Sequence, residues 1–204
     1  MKIYEMKIAP NPRRVRIFLA EKGLLDQVEF IELDLQKGEN LSPEFRQKSP
    51  LTKVPVLELE DGTCICETIA ICRYFEELGN GPSLMGSNAL EKAQIEMWQR
   101  WCEFYFLMPT GMCFQHSTGY FKDRMTPVPE WGKVCREHVL EFMQFLDQHL
   151  ANSAFIAGEM FSVADITALC SMDFNKVNQI TIGDDLPHLK RWHKDVSSRP
   201  SARA

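Results

Sequence analysis

Three places in the chain combine residue types that could do chemistry. The first is APNPRRVRIFLAEKG, Ala9 to Gly23, where two prolines bracket Asn11 and an amphipathic helix starts at once. A helix start offers unpaired N–H groups and the positive end of the helix dipole, so it suits an anion. Pro10 and Pro12 have no N–H, which leaves the backbones of Asn11 and Arg13 as donors and the Asn11 amide as a further one. Asn11 as a plain helix cap is the competing use. The segment holds no Ser, Cys or Tyr that could act as nucleophile or proton carrier.

The second place is Glu67-Thr68, at the start of another helical stretch. Free N–H groups there suit a carboxylate, and the Glu67 carboxylate suits an ammonium. An N-cap pair without a ligand is the simpler reading of these two residues alone. The third place is a stripe, Trp101, Tyr105, Met108, Met112 and His116, at helical spacing. Met and aromatic residues there suit an apolar ligand, and Tyr105 or His116 could hold a water; plain core packing is the alternative. Pro109 cannot donate to the carbonyl of Tyr105, which predicts a bend. Asp165 looks like an acid, but in SVAD it sits where a carboxylate reaches back to cap its own helix.

The elements that must position these residues fall into two halves. Residues 1–79 alternate strand and helix: KIYEM, a helix from Pro12 to Lys22 that buries Val15, Phe18 and Leu19 and stops at Gly23, then VEFIELDL. A short helix follows, opened by Ser42 and Pro43. A hairpin, Val56–Leu59 and Thr63–Cys66, turns at Asp61-Gly62, and a helix runs from Glu67 to Glu77. The order β-α-β-α-β-β-α predicts a small mixed sheet with helices on its faces, a thioredoxin-like βαβ-ββα domain. LGNGPSLMGS reads as a linker, assigned to 80–88. Residues 89–204 read as helix throughout: Leu90 to about Tyr120, Glu130–Leu150 with Trp131, Val134, Val139, Phe142 and Leu146 at helical spacing, FSVADITALC, and Leu189–Ser197.

Composition limits the function classes. The 204 residues carry a net charge of −5, so no broad basic field grips nucleic acid or anionic lipid. No apolar run approaches the length of a membrane span, and the N-terminus lacks the core of a signal peptide. Seven cysteines, an odd count without CxxC spacing, point to reduced thiols in a cytoplasmic protein rather than disulfides or a metal site.

Four segments together carry a family resemblance over nearly the whole chain: RRVRIFLAEKG, TKVPVLELEDGT, CETIAICRYFEE and GEMFSVADITALC. In this order and at these separations the chain resembles the cytosolic glutathione transferases. It is most similar to an atypical fungal and bacterial group in which a small residue replaces the usual catalytic side chain. The resemblance implies a homodimer, glutathione as co-substrate, an apolar electrophile held in a pocket against the helical domain, and conjugation of the detoxifying kind. It implies a cis Val54-Pro55 bond that presents the Val54 backbone to the tripeptide. It also places the γ-glutamyl group at Glu67-Thr68, with Thr68 where a serine is usual. Asn40, Lys53 and Lys37 are its candidates for the glycyl carboxylate. In serine- and cysteine-type relatives the catalytic residue lies five positions before the arginine matching Arg14; here that position is Ala9. Tyr4 falls within the first strand and reads as structural.

The resemblance thus leaves Ala9 beside the sulfur, and Asn11, Tyr105 and His116 as the groups that could stabilise it. A cysteine-type thiol transferase would need a thiol at position 9, and a zeta-type isomerase a Ser-rich segment at residues 9–12, where APNP stands. A glutathione-binding or regulatory protein without catalysis is the alternative in another class. Loss of the usual side chain favours it, and retention of Val54-Pro55 and Glu67-Thr68 argues against it.

Overall fold

The computed structural model describes all 204 residues. The chain divides into two compact units, Met1–Ser83 with Arg203–Ala204, and Leu84–Ala202. The first holds β1 (Lys2–Glu5), α1 (Pro10–Lys22), β2 (Glu29–Glu32), α2 (Pro43–Lys48), β3 (Val56–Glu58), β4 (Cys64–Cys66) and α3 (Thr68–Glu77). The sheet order is β2-β1-β3-β4, with β1 parallel to β2 and antiparallel to β3, and β3 antiparallel to β4. Ile3 and Leu57 of the sheet, Val15, Phe18 and Leu19 of α1, and Ile71 and Phe75 of α3 are fully buried and form its core.

β2 is shorter than the apolar alternation of VEFIELDL predicts. Asp34 ends it: its Oδ1 accepts the N–H groups of Gln36 and Lys37, both at 3.0 Å, which turns the backbone out of the sheet. Glu5, 1% exposed, accepts Arg16 Nε at 2.8 Å, and the guanidinium lies 3.8 Å over the Phe30 ring. This chain of contacts ties α1 to β1 and β2. At the other end of α1, the buried Lys22 ammonium donates to Glu76 Oε2 and to the Pro82 carbonyl, both at 2.9 Å. Those bonds hold Pro82 and α3 against the end of α1.

The second unit is helical: α4 (Ala89–Trp101), a π-helical stretch (Cys102–Leu107), α5 (Met108–Thr118), α6 (Pro129–Leu150), α7 (Val163–Phe174) and α8 (Pro187–Ser197). The predicted bend at Pro109 takes the form of this π stretch, placed before the proline. Met108 N–H donates to the Glu103 carbonyl, a five-residue step that widens the helix where Pro109 can supply no N–H. α5 and α6 approach closely at Gly132, where a Cβ would stand 2.5 Å from Ser117 Oγ. Asp165, fully buried, accepts from Ile156 N–H and Ser162 N–H at 2.9 Å, Ser162 Oγ at 3.1 Å and Trp192 Nε1 at 2.8 Å. It is the capping carboxylate that the SVAD pattern predicts, and it also pins α8. No helix is long and apolar enough to cross a membrane.

Candidate functional site

The turn between β1 and α1 presents the helix start. Ala9 is extended, with φ −77° and ψ 143°, and its N–H donates to the Met6 carbonyl at 2.9 Å. Arg13 N–H donates to the Ala9 carbonyl at 3.2 Å, the first bond of the helix ladder. The sequence alone leaves Asn11 and Arg13 as backbone donors; the ladder consumes the second. With prolines at 10 and 12, the Asn11 N–H is what remains at this end. The Asn11 carboxamide adds a second donor. Its Oδ1 accepts from Arg14 Nη1 at 2.9 Å, and Arg14 is 2% exposed. One half-exposed residue therefore carries both an N–H and an NH2 at the positive end of a 13-residue helix.

The start of α3 is the second helix end named by the sequence. Glu67 is its N-cap, with φ 70° and ψ 125°, a conformation that L-residues rarely adopt. Its carbonyl accepts Ile71 N–H at 3.0 Å, and its exposed carboxylate stands beside the free N–H groups of the first turn. Thr68 is 5% exposed. The Val54–Pro55 bond is cis. Just before it, Ser49 Oγ donates to the Lys53 carbonyl and accepts the Lys53 N–H, both at 3.0 Å, so one buried hydroxyl holds both ends of the Lys53 backbone.

The candidates for the glycyl end separate on their contacts. Asn40 is 8% exposed, and its Nδ2 donates to the Thr52 carbonyl at 2.7 Å, which makes it a brace of the loop. Lys37 pairs with Asp34 at 3.0 Å, and that carboxylate raises its pKa. Lys53 keeps an exposed side chain. Tyr4 donates to Glu58 Oε2 at 2.5 Å and meets Phe45 edge-on at 5.9 Å, so it belongs to the sheet rather than to the site.

In the helical unit, Tyr105, Met108 and Met112 line a cavity of about 530 Å³ together with Phe104, Phe142 and Phe145. The other members of the predicted stripe leave it. Trp101 packs on Trp98, with centroids 4.8 Å apart, and His116 Nδ1 accepts Val128 N–H at 3.0 Å, at the start of α6. The π stretch shifts the helical phase, so a spacing drawn for a regular helix does not stay on one face. The bond to Val128 also fixes the neutral His116 tautomer, with its proton on Nε2. The rest of the wall comes from α6: Trp131, Cys135, His138 and Glu141 recur at helical spacing, a pattern that the sequence reading did not use. Of these, Trp131 is 44% exposed, not core.

Comparisons with known proteins place the fold. Residues 8–78 match the family model for the glutathione S-transferase N-terminal domain, and residues 120–200 the model for its C-terminal domain. Glutathione S-transferase 2 of Saccharomyces cerevisiae is 37% identical over 205 residues, covering 100% of this chain and 88% of that one. The crystal structure of the yeast protein, Gtt2, aligns with a TM-score of 0.95 over 100% of this chain and 99% of that one. A glutathione S-transferase domain-containing protein of Marinobacter aquaeolei aligns at 41% identity and a TM-score of 0.95, covering 98% and 99% of the two chains. A Gtt2-class glutathione S-transferase of Vibrio parahaemolyticus aligns at 40% identity and a TM-score of 0.87, covering 100% and 96%. With the helix start, the Glu67 cap and the Val54–Pro55 corner all in place, the chain belongs to the glutathione S-transferase family.

Proposed function

We propose that this transferase ionises glutathione at the start of α1 without a Ser, Cys or Tyr side chain and adds the thiolate to apolar aromatic electrophiles. The observation that carries the proposal is Asn11, whose N–H is the backbone donor left at a helix end with two prolines, and whose carboxamide adds a second donor. The magnitudes suffice. A free thiol has a pKa of about 8.5, and lowering it by roughly 2 units requires about 2.7 kcal/mol. The helix end supplies about 0.3–1 kcal/mol and one hydrogen bond to the charged sulfur about 1.5–3 kcal/mol. The methyl of Ala9 leaves room for the sulfur to approach Asn11.

In this reading the γ-glutamyl carboxylate takes the first-turn N–H groups of α3, and its ammonium takes Glu67. The peptide backbone pairs with Val54 beside Pro55, and the glycyl carboxylate takes Lys53, with Asn40 holding the loop. The cavity containing Tyr105, Met108 and Met112 supplies aromatic and thioether surface for the electrophile. Ile69–Tyr74 and Leu90–Trp101 are proposed to form the interface of a homodimer; light scattering that returns a monomer at micromolar concentration refutes that part. Turnover is tested with a panel of neutral aromatic and aliphatic electrophiles. Faster conjugation of the aromatic members is expected. Rates equal to the uncatalysed reaction across the panel would leave binding without catalysis.

A further inference from the structure

Arg14 is among the largest fully enclosed side chains of the chain, at 2% exposure, and it lies one turn into α1. A buried guanidinium calls for a polar role, since Arg is rarely enclosed without one. Its Nη1 stands 2.9 Å from Asn11 Oδ1. A guanidinium can only donate, and a carboxamide has one accepting end and one donating end. The bond therefore decides the polarity of Asn11: the oxygen is turned to Arg14 and the NH2 is the end left for a ligand. A reversed carboxamide would set N–H against N–H at Arg14 and offer an oxygen to an incoming anion.

We infer that Arg14 is a positioning residue for the reaction, holding the Asn11 carboxamide so that its NH2 meets the glutathione sulfur. The inference rests on the proposal that Asn11 donates to the thiolate. Arg14 itself does not touch the sulfur; it acts through Asn11. Without it, three staggered χ1 wells and two amide orientations give Asn11 six arrangements, of which one is productive. A sixfold dilution of the productive arrangement raises the thiol midpoint by about 0.8 unit.

The experiment is a double-mutant cycle read on bound glutathione. The thiolate absorbance is titrated in the wild type, Arg14→Gln, Asn11→Ala and the double variant, with S-methylglutathione affinity as the check that the tripeptide site is intact. Expected is a rise of about 0.8 unit for Arg14→Gln in the wild-type background and none in the Asn11→Ala background, because the group being positioned is then gone. Arg14→Lys, which keeps one donor for Oδ1, should recover part of the rise. If Arg14→Gln does not fold, the same cycle is run with Arg14→Lys, and a rise confined to the background that retains Asn11 is again expected. An equal rise in both backgrounds overturns the inference and assigns Arg14 a direct effect of its charge. A raised midpoint in Asn11→Ala with none in either Arg14 variant overturns positioning alone and leaves Asn11 as donor. Unchanged midpoints in every variant overturn the donor reading as well.

Discussion

Glu67 is strained in the free protein, and that strain makes an experiment that separates stability from binding. Its φ of 70° is open to glycine at no steric cost, whereas a side chain there costs of order 1–3 kcal/mol. Glu67→Ala removes the carboxylate and keeps the strain. Glu67→Gly removes both, but loses roughly 0.5–1 kcal/mol through the greater freedom of glycine in the unfolded chain. The glycine variant should therefore be about 1 kcal/mol more stable than the alanine variant, roughly 2–4 °C in melting temperature for a chain of this size. Binding should weaken in both. Glutathione at about 100 times its dissociation constant stabilises the wild type by roughly 2.7 kcal/mol. Loss of a charge-assisted hydrogen bond to the ammonium, about 1.5–3 kcal/mol, weakens binding roughly 10- to 150-fold. At the same glutathione concentration, that cuts the stabilisation to about 0.3–1.3 kcal/mol. The assay is thermal melting of the three proteins with and without glutathione. A glycine variant that melts below the alanine variant would refute the strain argument, and a full glutathione shift in either variant would refute the role of Glu67.

Other consequences follow from particular contacts. Asp165→Ala leaves four donors without their acceptor and should cost roughly 3 kcal/mol or more in urea unfolding, with Asp165→Asn milder. Hydrogen bonds from Lys48 and then Tyr4 hold the Glu58 carboxyl below its ordinary value. A lowered folded-state pKa stabilises above the unfolded value of about 4.3 and is lost as pH falls through the folded value. The melting-temperature gap between wild type and Glu58→Gln should therefore be widest near neutral pH and close below about pH 4; a gap constant with pH would contradict this. His116→Ala removes the acceptor of Val128 N–H and should lower the melting temperature by roughly 2–4 °C. An unchanged melting temperature would contradict the bracing role of His116.

The sheet was legible because its signals are local. Period-2 apolar residues, the Asp61-Gly62 turn and caps such as Ser42 each act within a few residues, and they specify the β-α-β-α-β-β-α order directly. The Asp165 cap was legible for the same reason. The helix start at Ala9–Arg13 was half legible: missing N–H groups can be counted from prolines, but the use of Arg13 N–H within the ladder and the Arg14 bond to Asn11 need coordinates. The stripe from Trp101 to His116 misled because one proline changes the helical period upstream of itself. A spacing argument assumes a constant phase, and the π stretch at Cys102–Leu107 removes it. The glycyl-site candidates show another limit of residue patterns. Asn40 and Lys37 have the right chemistry, but their partners, Thr52 and Asp34, are set by loop geometry that no residue pattern announces.

The central claim is that the helix start, through Asn11, does the work usually given to a hydroxyl or thiol. The most direct test is the ultraviolet titration of the glutathione thiolate bound to the wild type and to Asn11→Ala. The account predicts a wild-type midpoint well below that of the free thiol, and a rise of about 1–2 units on removing the carboxamide, the value of one hydrogen bond to a charged sulfur. A wild-type midpoint at the free-thiol value, or the same lowered midpoint in both proteins, would contradict it.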